Sequence, residues 1–331
     1  MFRHLFILIT FLFGISLCQD PPDPPDAVTK VGTSAANWLK IESGTRGIAM
    51  GGSQVASGRG LSGSYFNPAS IAFIQGSEVY FSKSNYLAGI THNTLGYGRN
   101  VTSTDYVGIH LFYLDSGEMK ETTVISPDGT GRTFNVLDVS LRMIYGKQLT
   151  DRLRLGGAIK YILEQIHDVH MQSFVFDLGS NFKTGIYGIM LGMSVSNFGP
   201  NVQFQGDGLV TEEESAPSGF DQKITDEFSV PLVFRLGIQK NMFGDDENRT
   251  DHLILSVDAI NPIDYTVYGS AGVEYSWHDS AFIRGGTHLF HDTAGFSLGG
   301  GLKWTIITMD YAYVNYGILE ETHQFGISLV F

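Results

Sequence analysis

Residues 232–239 read LVFRLGIQ, and the apolar residues at 232, 234, 236 and 238 alternate with positions that include Arg235 and Gln239. Successive side chains of a β-strand point to opposite faces, so this stretch predicts a strand with one apolar and one polar face. The same period of two recurs in LDVSLRMIY (137–145), FVFDLG (174–179) and GVEYSW (272–277). The pattern therefore predicts β-structure from residue 77 onward.

Fourteen strands are predicted, near residues 77–86, 89–99, 104–114, 134–147, 152–166, 171–182, 185–197, 230–240, 252–262, 268–278, 280–290, 294–304, 305–316 and 322–331. Most reach the roughly 9–11 residues that a tilted membrane-spanning strand needs. The connections at 115–133 and 198–229 are long and most others are tight, as in barrels with long external loops and short periplasmic turns; the loop at 241–251 departs from this rule. We therefore predict an all-β fold, a transmembrane antiparallel β-barrel of about 14 strands over residues 77–331.

Charged residues collect on the polar face of these strands and are assigned to the lumen: Asp138, Arg142, Arg154, Lys160, Glu164, Asp177, Arg235, Asp258, Glu274, Arg284, Lys303 and Asp310. The opposite face is rich in Phe, Tyr, Trp and Leu, which suits outer-membrane lipid as its partner. The chain also ends in an alternating strand with a final aromatic residue, Phe331. A soluble β-sandwich, with the charged face in water, is the alternative.

The N-terminus predicts export. Arg3 and His4 precede an apolar run from Leu5 to Leu17, which is too short to cross a bilayer and indicates a signal peptide over residues 1–18. Cleavage near Cys18 is expected, and lipidation of Cys18, the chain's one cysteine, is the alternative. Residues 19–31 contain four prolines and are predicted to be a disordered linker.

Residues 32–76 differ from the strands that follow, because they are rich in glycine and cannot bury a core of their own. We predict that they form an N-terminal hatch inside the lumen, marked by Arg46, Met50, Gly51, Gly52, Asn67 and Pro68. A buried arginine must be paired, so Arg46 or Arg59 is expected to meet a wall carboxylate. A free periplasmic tail is the alternative.

Composition and motifs disfavour other classes of function. The net charge of −13 argues against nucleic acid as a partner, and the charged fraction of 17% is low for a soluble protein. The sequence at 295–299, GFSLG, matches a hydrolase pattern, but it lies in a predicted strand without the required strand-to-helix turn. His167, His170, His288 and His291 are interpreted as loop residues, so we expect no catalysis, no cofactor and no metal site.

Several stretches together resemble the PorV/PorQ family of FadL-like outer-membrane barrels linked to type IX secretion. They include WLKI (38–41), GTRGIAMGG (44–52), YFNPA (65–69), LGGAIKY (155–161), FDLG (176–179), SNFGP (196–200) and FIRGG (282–286). The resemblance implies a fourteen-stranded barrel with a lumenal hatch that binds the C-terminal domains of secreted cargo and docks on type IX secretion components. Relatives often carry an acidic run where this chain has GRGLS (58–62).

Two main hypotheses for function follow. The first is a non-enzymatic secretion accessory in the outer membrane, whose acidic loop would contact protein partners through exposed aromatic residues at Phe204, Phe220 and Phe228. The alternative is a FadL-like channel for hydrophobic small molecules, which requires an apolar pocket and a lateral opening. A purely structural barrel is a third class.

Overall fold

The structure of the chain, a computed structural model, describes residues 30–211, 221–222, 225–243 and 251–331. The predicted signal peptide at 1–18 and most of the predicted linker lie outside these residues. Among the described residues, no helix is long and apolar enough to cross a membrane.

Within the described ranges, fourteen long strands form one antiparallel sheet in which β1 pairs with β14 and β6 pairs with β7, so that the sheet closes on itself. The predicted fourteen-stranded barrel is confirmed. The strands are β1 (Ser77–Asn85), β2 (Thr91–Asn100), β3 (Asp105–Asp115), β4 (Val136–Gln148), β5 (Leu153–Ile166), β6 (Val169–Lys183), β7 (Ile189–Phe198), β8 (Val233–Phe243), β9 (His252–Pro262), β10 (Tyr268–Trp277), β11 (Ala281–Leu289), β12 (Phe296–Trp304), β13 (Ile307–Asn315) and β14 (Glu321–Val330).

The two faces of each strand separate as the alternation predicts. On β8, Phe234, Leu236 and Ile238 point outward and are 47–50% exposed, whereas Arg235 and Gln239 are buried inside. Similar outward-facing apolar residues occur on the other strands. The outside of the barrel is therefore an apolar belt, as contact with lipid requires.

Several strand boundaries differ from the prediction by one to four residues, and the largest shifts are at β7 and β8. Strand β7 begins at Ile189 rather than at 185, because Gly185, Tyr187 and Gly188 adopt left-handed backbone conformations with φ of 77°, 49° and 68°. Strand β8 continues to Phe243, so the connection that departs from the loop-length rule is shorter than expected. Most of that connection, residues 244–250, lies outside the described residues.

The two ends of the barrel carry connections of different length. At the end that holds the start of β1 and the end of β14, the connections at 101–104, 149–152, 184–188, 278–280 and 305–306 are short. The connections at 116–135 and 199–232 emerge at the opposite end. They include short strands at Met119–Lys120, Thr133–Phe134, Gln205–Gly206, Val210–Thr211 and Asp221–Gln222. We call these the inner and the outer end, because long loops of such barrels face the cell exterior.

The segment from residue 34 to residue 74 lies inside the barrel, and we call residues 32–76 the hatch. It contains two short α-helices, α1 (Thr45–Ala49) and α2 (Gly60–Ser64), and 3₁₀-helices at Asn37–Lys40 and Pro68–Phe73. Further 3₁₀ turns lie at Leu87–Gly89, Asp207–Leu209 and Gly317–Leu319. Most hatch side chains are buried against the inward face of the strands.

Candidate functional site

A network of buried ion pairs fixes the hatch to the wall at Glu274 of β10. Arg46 of α1 donates from Nε and Nη2 to the two carboxylate oxygens, at 2.8 and 2.7 Å. Arg284 of β11 donates to the same carboxylate at 2.6 Å and to Asp310 of β13 at 2.5 Å. A bidentate arginine–carboxylate pair sets orientation as well as energy, so this network holds α1 in one position. Arg46 is thus the hatch arginine that pairs with a wall carboxylate.

Arg59, the second hatch arginine, has no carboxylate partner among the described residues. Its guanidinium lies 4.1 Å from the centroid of the Phe73 ring and donates to the carbonyl oxygen of Gly58 at 2.7 Å. Desolvation by burial, followed by repulsion from Arg46 and Arg154, lowers the pKa of Arg59 to about 9. The guanidinium therefore remains charged at neutral pH, and aromatic and carbonyl contacts replace the ion pair.

The remaining marked hatch residues make close backbone contacts. Asn67 caps the helix at Pro68, accepting from the Ala69 amide at 3.0 Å, and its side-chain amide donates to the Ser180 carbonyl oxygen of β6 at 2.9 Å. Met50 and Gly51 lie against the backbone of Gly286, where an added Cβ would come within 2.1 Å of the Met50 carbonyl carbon. The hatch thus touches the wall where the wall has no side chain. Asp258 of β9 accepts from the Val55 amide at 2.8 Å.

A small cavity of about 30 Å³ lies between the hatch and the wall in the outer half of the lumen. One side is apolar and is formed by Trp38, Leu39 and Ile41 of the hatch and Phe112 of β3. The Trp38 and Phe112 rings stack at 5.7 Å, and His92 stacks on the far face of Phe112 at 5.2 Å. This volume suffices for about two water molecules, so a larger ligand requires the hatch residues to move.

The other side of the cavity is cationic. Among the described residues, Arg142, Lys160 and Arg235 line it together with one carboxylate, Asp177. Asp177 lies 2.9 Å from Nη2 of Arg142 and 2.8 Å from Nζ of Lys160. Nε of Arg142 is buried without a hydrogen-bond partner, and Arg235 donates to the Ser196 hydroxyl at 3.2 Å. Three positive charges face one negative charge, so the cavity carries an excess of positive charge.

The remaining predicted lumen carboxylate, Asp138, lies outside this cavity. It is the register partner of Glu164 on β5, and its Oδ1 is buried without a hydrogen-bond partner among the described residues. Glu164 accepts from the Ala36 amide at 2.9 Å. Of the twelve charged residues predicted for the lumen, Lys303 is exposed near the inner end of β12. The structure divides most of the others between the Glu274 network, the cavity and separate contacts with the hatch, and Asp138 lies outside the network and the cavity.

The wall beside the cavity is irregular between β6 and β7. The register shifts between Phe176 and Leu178, and Asn197 of β7 adopts a left-handed conformation with φ of 63° while its amide donates to Asp177 at 2.8 Å. Because β7 ends at Phe198, residues 169–175 of β6 have no partner on β7. The cavity therefore adjoins the point where the ladder between two neighbouring strands ends.

Phe204 and Phe228, expected to be exposed aromatic residues of a partner-binding loop, are not exposed. Both are partly buried, form an edge-to-face pair at 6.1 Å, and pack against the interior cluster that contains Trp38 and Val230. Their apolar surface is used in the outer mouth of the barrel, where the connection folds over the hatch. Phe220 lies outside the described residues.

The sequence match to a hydrolase motif lies largely inside a barrel strand. Residues 296–299 of the GFSLG match lie on β12, with the Ser297 side chain buried in the lumen. In the part of the chain that the structure describes, no group of three or more His, Cys, Asp or Glu side chains could hold a metal ion.

A closed barrel with an apolar outer belt, short turns at one end and a lumen occupied by its own N-terminal segment defines an outer-membrane β-barrel. No protein-family model matches the sequence, and no curated protein sequence matches it.

Solved structures show the same fold. The Pseudomonas putida toluene transporter TodX is 12% identical, with a TM-score of 0.55 over 86% of this chain and 96% of TodX. The monoaromatic hydrocarbon channel CymD is 13% identical, with a TM-score of 0.56 over 87% of this chain and 97% of CymD. A Pseudomonas aeruginosa FadL homologue is 14% identical, with a TM-score of 0.53 over 86% of this chain and 97% of that protein. The chain therefore has the fold of FadL-like outer-membrane barrels.

Proposed function

We propose that this barrel takes up small amphipathic molecules that combine an apolar body with an anionic group. The observation that carries the proposal is the cavity in which Trp38 and Phe112 face Arg142, Lys160 and Arg235. Apolar pockets with a few placed polar groups are the usual form of small-molecule sites. Stacked rings accept the apolar body, and the excess positive charge accepts the anion.

The structural neighbours support a small hydrophobic cargo, since TodX is a toluene transporter and CymD a monoaromatic hydrocarbon channel. The cationic side of the cavity favours a ligand with an anionic group, which a neutral hydrocarbon lacks. The β6–β7 ladder ends beside Asp177, and residues 169 and 170 of β6 pair instead with the short strand Gln205–Gly206. Separation of this interrupted stretch of wall would give the lateral opening that passage from the cavity into the membrane requires.

Ligand binding tests the proposal. Replacing Lys160 by Met should weaken laurate binding about tenfold or more, because a hydrogen bond to a charged group contributes about 1.5–3 kcal/mol. Binding of dodecanol, which has the same chain and no charge, should change little. Affinities can be measured by quenching of Trp38 fluorescence in a Trp277→Phe/Trp304→Phe background.

Lys147→Met is the matched control, because Lys147 pairs with Asp105 at the inner end of the barrel, away from the cavity. It should leave both affinities unchanged. Equal binding of laurate and dodecanol to the unaltered cavity, or an equal effect of the two lysine substitutions, would refute the anionic preference.

A second candidate function is the secretion accessory role implied by the resemblance to PorV/PorQ. It is favoured by Val124 and Ile125, two fully exposed apolar residues in the long β3–β4 connection at the outer end. Exposed neighbouring apolar residues on a loop suit a protein partner. The double variant Val124→Ser/Ile125→Ser should bind a purified C-terminal domain of type IX cargo more weakly than the parent barrel. Equal binding to the two barrels, or no binding to the parent barrel, would exclude this candidate function.

A further inference from the structure

The two ends of the hatch lie at opposite ends of the lumen. Near its C-terminal end, the Ala72 carbonyl oxygen accepts from Arg154 near the start of β5, and Ser77 of β1 exchanges hydrogen bonds with Phe331 at the inner end. Midway, Arg46 is bound by Glu274 of β10. The middle of the hatch folds back on itself, since the Tyr65 hydroxyl donates to the Leu39 carbonyl oxygen at 3.0 Å, but its C-terminal end is fixed at the inner end of the barrel.

The first described part of the hatch is bound at the outer mouth. Ser34 forms a parallel bridge with Ser229, and the Ala35 amide donates to the Ser229 carbonyl oxygen at 3.1 Å. Ser229 lies four residues before β8 begins at Val233, at the outer end of the barrel. The Ala36 contact with Glu164 lies near the outer end of β5. Residues 34–36 thus reach across the mouth between two sides of the barrel.

Lys40 provides an independent anchor at the same end. Its ammonium lies 2.7 Å from Asp264, in the connection between β9 and β10, and the Asp264 side chain is only 2% exposed. Burying a carboxylate without a partner costs folding free energy. The buried Asp264 therefore depends on Lys40 as its partner. The placement of residues 34–40 at the outer mouth is therefore part of the folded barrel.

Residues 30–33, by contrast, are exposed. We infer that the chain leaves the barrel at its outer end, so that residues 30–33 are displayed at the cell surface while residues 34–40 close the mouth beneath them. A hatch that began at the periplasmic side would place residues 30–33 at the opposite end. The inference does not depend on which ligand the cavity binds.

Cysteine accessibility in intact cells tests this topology. In a Cys18→Ser background, Lys30→Cys should react with a membrane-impermeant maleimide to the same extent as Ile318→Cys, which is exposed in an outer-end turn. Asp151→Cys, in an inner-end turn, should react only after the cells are lysed. Reaction of Lys30→Cys only after lysis, or no reaction in either condition, would overturn the inference.

Trypsin treatment of intact cells gives a second readout that needs no substitution. Cleavage after Lys30 should produce a barrel whose new N-terminus is Val31, while Arg46 and Arg59, which are partly buried inside the lumen, stay protected. Mass spectrometry of the recovered barrel identifies this end. Complete resistance of Lys30 in intact cells, with cleavage after lysis, would place Lys30 in the periplasm and overturn the proposal.

Discussion

A barrel carrying Glu274→Ala should unfold with about 3–5 kcal/mol less free energy than the parent, because removing one partner of a buried ion pair leaves its counter-charges uncompensated. Two guanidinium groups depend on this carboxylate, those of Arg46 and Arg284. Arg284 retains Asp310, whereas Arg46 retains, among the described residues, the Ser57 carbonyl oxygen at 2.8 Å. The loss should therefore fall mainly on the hatch.

Urea unfolding in liposomes measures the global effect, and limited trypsin digestion after Arg59 reports on the hatch. In the Glu274→Ala barrel the hatch should be cut much faster while the strands stay intact. Glu121→Ala is the matched control, because Glu121 is an exposed carboxylate in the β3–β4 connection and contacts Thr130 there. That substitution should change neither measurement.

A double variant separates charge from packing. Adding Arg46→Met to Glu274→Ala removes the unpaired guanidinium, so stability should partly recover although one more native contact is lost. If the double variant is less stable than Glu274→Ala by the full effect of Arg46→Met alone, the two residues do not act as a buried pair. The interpretation of the Glu274 network would then be wrong.

The barrel strands could be predicted from the sequence because membrane crossing imposes two constraints at once. A strand between lipid and a filled lumen needs alternating side chains, as in β8, and enough residues to span the apolar layer. These two constraints together leave little freedom in the number of strands or in their register. The start of β7 moved to Ile189 because the turn before it contains left-handed residues, whereas β8 extends to Phe243 through a register irregularity between Asn241 and Phe243.

The sequence could predict that a hatch arginine pairs with a wall carboxylate, but it could not predict which two residues pair. Burial requires an arginine to find a carboxylate, but sequence gives no distance between Arg46 and the several candidate carboxylates of the lumen. That Arg59 instead lies against Phe73 depends on the path of the chain between the two arginines. Alternation likewise assigns Arg142 and Arg235 to the lumen without showing that they share a cavity.

The apolar side of that cavity was missed for a related reason. Trp38 lies outside the strands, where no periodicity fixes its direction, and Phe112 is an inward-facing aromatic on β3 that composition would assign to lipid. For the same reason, the sequence predicted that Phe204 and Phe228 are exposed and available for partner contacts. In a barrel with a filled lumen, aromatic residues also pack inside the outer mouth, and only the fold shows which ones do so.

These features divide the lumen into two halves with different mechanical roles. The inner half is closed by the Glu274 network and by backbone contacts such as that of Met50 with Gly286. The outer half holds the cavity, beneath a segment fixed by a few contacts, including those of Lys40 and Ala36. Motion that admits a ligand is therefore expected in residues 34–41 and not in the helices below them.

Arg substitution at Ile238 should destabilise the barrel by about 2–4 kcal/mol, because its outward-facing side chain lies near the middle of β8 and a charged group is most costly at the bilayer midplane. Ile318→Arg is the control, since Ile318 is exposed in an outer-end turn and should tolerate the charge at a cost near zero. Urea titration of both variants in liposomes, followed by gel mobility of the folded and heat-unfolded forms, gives the difference. Equal stability of the two variants would mean that Ile238 does not face lipid. The register of β8, and with it the assignment of Arg235 and Gln239 to the lumen, would then have to be reversed.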